Sequence, residues 1–286
     1  MVKIDEFESV FRAAEREPFQ YERPPLSRVT LVTDREHGRP EQTREELVRF
    51  LPVLAASEPA VVVVEDHATV QAVADAVEAS QPDLIVAFRH LGESSLVPQH
   101  SLGVHLDVLT QVLSPPVLVL PGTAAHRQPV QGAGPDGQAA ATLVMTDHIR
   151  GERRLIEWAA TVAPTGSHLW LCHIEDDAAF RRYLELIGQI PELDTDLAHE
   201  KLDALLHKEA ADYLAAAAAG LDRAGLGLTV QPHISRGHRL RAFRELAAEH
   251  AADLVVVNTK DDDQLAMQGT AYALAVELDG LAMLLV

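Results

Sequence analysis

The feature that most limits the fold is a recurring alternation of short β-branched runs with helix-length amphipathic segments. Runs such as Ala60-Val61-Val62-Val63-Val64-Glu65 and Asp83-Leu84-Ile85-Val86-Ala87-Phe88 are apolar without a two-residue alternation, the pattern of strands covered on both faces. Strand, helix and strand in that order predict a parallel sheet with right-handed crossovers. Strands are expected near Val29–Thr33, Ala60–Glu65, Leu84–Phe88 and Pro116–Leu120, with helices between them at about 42–55, 67–80 and 103–113. Residues 121–139 are rich in Pro, Gly and polar residues, which marks a linker. The alternation then restarts, with strands near Ala141–Thr146, His168–His173, Leu228–His233, Leu254–Asn258 and Ala282–Val286. Helices are expected near 150–162, 198–223, 237–250 and 269–277.

The two series repeat one another in order. Val32-Thr33-Asp34 closes the first strand of one, Met145-Thr146-Asp147 that of the other. Pro82-Asp83-Leu84-Ile85-Val86 matches Ala252-Asp253-Leu254-Val255-Val256, and Gly103 and Gly269 each open the last helix. A repeat of this length predicts two α/β domains and an intramolecular pseudo-dimer that pairs through the last strands. The expected division is an N-terminal helical segment over 1–26, a shortened first domain over 27–122, a linker over 123–140 and a complete second domain over 141–286. The first domain is expected to run from its first helix directly to the AVVVVE strand, omitting a strand–helix pair that the second keeps at 168–223. Ile4, Phe7, Val10, Phe11 and Ala14 give the N-terminal segment one apolar helical stripe, expected to pack on the outside.

Composition narrows the function. The 286 residues carry a net charge of −19, which repels nucleic-acid backbones and anionic lipid, and no basic patch offsets it. Neither nucleic acid nor membrane is an expected partner; the domains are expected to pair within the chain, and further homo-oligomerisation is left open. A single cysteine, Cys172, excludes an intramolecular disulfide and any multi-thiolate zinc site. The first 20 residues lack a basic n-region and an apolar h-region, and no apolar run is long enough to span a bilayer, so a cytoplasmic protein is expected.

The ordered set of landmarks resembles the universal stress protein family. Its members begin with a strand ending in aspartate, and a late DLIV-type strand leads into a glycine-rich loop and a Gly-Ser or Gly-Thr helix start. The resemblance implies two doubly wound parallel-sheet domains of the adenine nucleotide alpha hydrolase-like kind, in tandem. In ATP-binding members, a G-x2-G-x9-G-Ser/Thr loop lets backbone N–H groups approach phosphate, and the helix N-terminus adds a favourable dipole. Asp147, Gly269 and Thr270 match that pattern in the second half, and Asp34 and Gly103 in the first. Asn258, however, stands where the first glycine is expected, and Lys260-Asp261-Asp262-Asp263 replaces the small-residue loop. In the first half Phe88 takes the first glycine position, Gly92 is out of register and Val104 lacks the hydroxyl. ATP or another adenine nucleotide is therefore a candidate ligand of the second half and is least expected in the first.

Other signals are weighed against plainer readings. Gly132-Ala133-Gly134-Pro135-Asp136-Gly137 spells GxGxxG, but a linker precedes it and a strand follows, the reverse of a dinucleotide fingerprint. His173, Asp176 and Asp177 follow the second strand of the second half, near the edge where Asp147 ends its strand. They are either a ligand or metal contact or, on the plainer reading, an acidic turn capping the next helix. Gly237 is expected to allow a tight turn into its helix. Cys172 reads as an inert core residue, and His199 and His207 are too far apart on one helix to chelate. No nucleophile elbow, Walker loop or kinase motif occurs. The expectation is a stress-response protein that binds a ligand or protein partner without turnover. The alternatives are a nucleotide switch with slow ATPase or autophosphorylation activity, its metal held by Asp261–Asp263, and a pure protein-interaction scaffold.

Overall fold

A computed structural model describes residues 18–34, 39–65, 68–93, 101–123, 126–146, 153–189, 195–259 and 269–286. The chain order is β1 (Val29–Asp34), α1 (Pro40–Phe50), β2 (Ala60–Val64), α2 (Val70–Ala79), β3 (Leu84–Ala87), α3 (Val104–Val112) and β4 (Val117–Val119). A two-residue ribbon follows, β5 (Gly122–Thr123) and β6 (His126–Arg127). The second series is β7 (Ala141–Thr146), α4 (Arg153–Val162), β8 (His168–Asp176), α5 (Asp177–Ile187), α6 (Thr195–Arg223), β9 (Thr229–Gly237), α7 (Arg239–Glu249), β10 (Leu254–Val257), α8 (Gly269–Glu277) and β11 (Ala282–Leu285).

Nine strands form one sheet in the order β2-β1-β3-β4-β11-β10-β7-β8-β9. Neighbours are parallel within each flank. At the centre β4 meets β11 antiparallel, with Val119 opposite Met283 and Val117 opposite Leu285. The reversal puts the carboxyl edges of the two flanks at opposite ends of the sheet. Strands β1, β3, β7, β10 and β11 are buried along their whole length, as unalternating apolar runs between helix layers must be. Strand β2, expected to be covered on both faces, is instead an edge strand with Val61 and Val63 exposed.

The repeat is visible in the polar joints. Asp83 Oδ2 accepts hydrogen bonds from the N–H groups of Ser27 and Arg28 at the entrance to β1, both at 2.9 Å. Asp253 Oδ2 does the same for Ala140 and Ala141 at the entrance to β7, at 2.6 and 3.2 Å, and its Oδ1 takes Ala133 N at 3.0 Å. Two residues before each aspartate, Gln81 and Ala251 adopt left-handed backbone with φ of 48° and 46°. The residues that matched in sequence therefore perform one local task twice.

The shortening differs from the expectation. β2 pairs with β1, Leu31 opposite Val61 and Thr33 opposite Val63, as β8 pairs with β7, Val144 opposite Leu171 and Thr146 opposite His173. β2 thus takes the place of β8, and the position without a counterpart is the edge strand β9, together with its covering helix α6. A sheet cannot leave an unpaired gap beside β1, so the strand that remains docks there. Two other expectations change. Helix 42–55 breaks at Pro52 into α1 and a 3-10 turn over Pro52–Ala56, and α5 is a helix that the apolar spacing did not reveal.

In the linker, Gly132 N donates to Gly137 O, and Gly134 N to Gln138 O, both at 2.9 Å. The GxGxxG glycines spend their N–H groups on the linker itself and offer no phosphate cradle. The N-terminal helical segment at 4–16 lies outside the described residues. From Phe19 the chain is fixed to the second flank: Arg223 donates to Phe19 O at 3.2 Å and Tyr21 pairs with Thr161 Oγ1 at 2.8 Å.

Candidate functional site at the two carboxyl edges

In doubly wound sheets ligands sit where strands end, so each flank offers one candidate edge. On the first flank β1 ends in Asp34, which is buried. Its Oδ2 accepts the N–H of Gly92 at 2.8 Å. The segment after β3 then folds back: Glu93 Oε1 accepts the N–H of Val104, the first residue of α3, at 2.6 Å, and Glu93 Oε2 lies 2.9 Å from His90 Nδ1. An anion at a helix N-terminus satisfies orphan N–H groups and the positive end of the dipole. Here the anion belongs to the chain.

The glycines explain how the segment closes. Gly103 has φ of 95°, and a Cβ there would fall 2.7 Å from the His90 Cα. Gly92, at φ of 68°, would bring its Cβ to 3.1 Å from Val64. His90 itself is left-handed, with φ of 54°, and its N–H donates to Leu102 O at 2.9 Å.

Around this closure sits a group of titratable residues. Burial pushes the Asp107 carboxyl up, against the hydrogen bond from Tyr272 Oη at 3.5 Å, with Glu93 adding to the rise. Burial lowers the His105 imidazole, although Glu93 and Asp34 pull it the other way. Next to them Arg89 is buried and donates to the carbonyl oxygens of Ala275 and Leu278 at the end of α8, linking the two flanks. Burial lowers its guanidinium to about 10, opposed by Asp279.

On the second flank β7 ends at Thr146, and Asp147 lies outside the described residues, as do Lys260–Asp263. His173 is buried on β8; its Nδ1 lies 2.9 Å from Thr146 O, so Nδ1 carries the hydrogen. Its Nε2 is 3.5 Å from Glu175 Oε2 and has no hydrogen-bond partner among the described residues. Asp176 is the N-cap of α5, accepting Ala178 N at 2.8 Å and Ala179 N at 2.9 Å, which is the capping reading of that acidic turn. Gly237 stands opposite Asp176 at the end of β9. Its φ is not positive and a Cβ there would meet nothing within 4 Å, so the turn into α7 does not require glycine. Gly269 and Thr270 open α8, and among the described residues a Cβ at Gly269 is equally unopposed. Cys172 is fully buried, and burial pushes its thiol up to about 12.

The structure therefore brings Asp34 onto Gly92 and Gly103 onto His90, and sets His173 beside the end of β7. Sequence reading passed over Glu93, His90, Arg89, Asp107 and Tyr272. The one available signal was Glu93, an acid directly after an out-of-register glycine in a loop expected to receive phosphate. Among the described residues no group of three His, Cys, Asp or Glu side chains is placed to hold a metal ion, and no helix is long and apolar enough to cross a membrane.

No protein-family model matches the chain, and no curated protein matches it by sequence. Solved structures do. A putative universal stress protein from Pseudomonas aeruginosa UCBPP-PA14 aligns over 92% of this chain and 94% of its own, with a TM-score of 0.56 and 14% identity. The fold is that of the universal stress proteins. Looser likenesses are to a universal stress protein from Archaeoglobus fulgidus DSM 4304, over 81% of this chain and 70% of that one at 15% identity and a TM-score of 0.46. UspA from Lactobacillus plantarum matches over 51% of this chain and 97% of its own, at 17% identity and a TM-score of 0.40. Within the universal-stress fold, the loop between β3 and α3 takes the place where the family's phosphate loop is expected from sequence. In this chain the described part of that loop is held by the chain's own carboxylates.

Proposed function

We propose that the chain is a universal stress protein that acts by binding rather than by turnover, with its first edge closed and any small-ligand site confined to the second. The observation that carries this reading is the seating of Glu93 on Val104 N and of Asp34 on Gly92 N. Two N–H groups of the loop between β3 and α3 are committed to carboxylates, and a second anion there would meet like charge. The sequence of the second edge, with Asp147, Gly269 and Thr270 but acidic residues in the loop, supports a ligand other than free ATP, or a protein partner.

Calorimetric titration with ATP, ADP and AMP, with and without magnesium, tests it. The expected result is no association tighter than roughly 1 mM with any of the three. Magnesium-dependent ATP binding in the micromolar range, or ATP carried through purification, overturns it.

A further inference from the structure

Among the described residues the nine-stranded sheet has two free edges, and the chain treats them differently. β9 carries Pro232, which removes a backbone donor, and Arg236, which pairs with Asp203 and lies 3.8 Å over the Phe180 ring. Proline and charge are the usual means of blunting an edge strand. β2 has neither: its five residues, Ala60-Val61-Val62-Val63-Val64, are uncharged, β-branched but for one, and paired on one side only, to β1.

Register shows what is missing there. Val61 and Val63 stand opposite Leu31 and Thr33, where Leu171 and His173 stand opposite Val144 and Thr146 in β8. Leu171 and His173 are 0% and 4% exposed, whereas Val61 and Val63 are 45% and 43% exposed. The difference follows from the lost edge position: β8 is covered by β9 and α6, and among the described residues β2 has no counterpart of either.

We infer that the free edge of β2 pairs antiparallel with β2 of a second copy of this chain, continuing the sheet across a two-fold axis. The strand is self-complementary in that arrangement. Centred on Val62, it sets Val61 against Val63 of the second copy and Ala60 against Val64, with no charge opposed along its length. The chain already joins one pair of strands this way, at the antiparallel β4–β11 contact of Val, Leu and Met side chains. Glu58 and Glu65 flank the strand, and each copy carries −19. Association of two such copies strengthens as salt screens their repulsion, whereas a basic foreign partner would be released by salt.

Sedimentation velocity on the full chain at low and high salt tests the inference, with hydrogen exchange followed across residues 60–64. The expected result is a dimer that tightens with salt and protects the β2 amides as concentration rises. V61K/V63K, which alters only exposed side chains and sets lysine against lysine, should weaken self-association by roughly tenfold or more. Mixing it with V61E/V63E should restore pairing, because the register then faces lysine with glutamate. Val112→Lys, at another exposed apolar position, should leave the dimer unchanged. Circular dichroism melts establish that the variants fold. A parent chain that stays monomeric at both salts overturns the inference and leaves the edge to a foreign strand. A dimer that is indifferent to V61K/V63K, that loosens with salt, or whose oppositely charged variants do not pair also overturns it.

Discussion

A Cβ added to Gly103 would lie 2.7 Å from the Cα of His90. The contact is backbone against backbone, so no side-chain rotation relieves it, and the φ of 95° is itself strained for any L side chain. Gly103→Ala should therefore cost about 3 kcal/mol or more of folding stability, measured by urea denaturation. A loss of only a few tenths would show that the segment after β3 can rearrange freely.

Glu93 closes the same segment from the other side. Glu93→Ala removes the acceptor for Val104 N and should cost about 1 kcal/mol, the scale of a lost helix cap. It should also expose the anion-binding potential of α3. Inorganic phosphate, expected to leave the parent's melting temperature unchanged, should raise that of the variant.

Asp107 offers a test of sign. Burial raises its carboxyl above the ordinary value of 3.8, so ionisation is harder in the folded chain than in the unfolded one. The stability this group contributes is fully present below pH 3.8 and is lost as pH rises through the raised folded value. Asp107→Asn keeps an acceptor for Tyr272 and cannot ionise. The variant should melt higher than the parent at pH 7, with the advantage vanishing at pH 3, as read in paired thermal scans.

Asp253 holds three backbone N–H groups, of Ala133, Ala140 and Ala141. Asp253→Ala should cost about 2–3 kcal/mol, because the entrance to β7 loses charge-assisted bonds while staying partly buried. Denaturant midpoints give the comparison, and hydrogen exchange should show the loss concentrated at residues 139–141.

Much of the fold is legible in the sequence because burial on both faces leaves a plain mark: DLIVAF and DLVVVN admit few readings besides central parallel strands, whereas AVVVVE carries the same mark and is an edge strand with Val61 and Val63 exposed. The matched aspartates Asp83 and Asp253 announce the repeat, and the structure shows why the residue type is needed twice. Other parts leave no such mark. Nothing local tells that β2 docks in the place of β8, since which neighbour a strand takes is decided by the whole sheet. The left-handed positions at Gln81, His90 and Ala251 carry no glycine to reveal them. The closure by Glu93 depends on a backbone reversal that brings residue 93 to residue 104, and composition cannot foresee it. Gly237 shows the opposite error: a glycine that suggested a constrained turn stands in open space.

The β4–β11 contact has one more consequence. Strands that meet within one chain stay together at any dilution, and the two flanks beside them are spelled by separate stretches of sequence. In an assembly of identical subunits, each substitution strikes every ligand edge at once. Here Asp34 and Glu93 can close one edge while the sequence of the other changes independently.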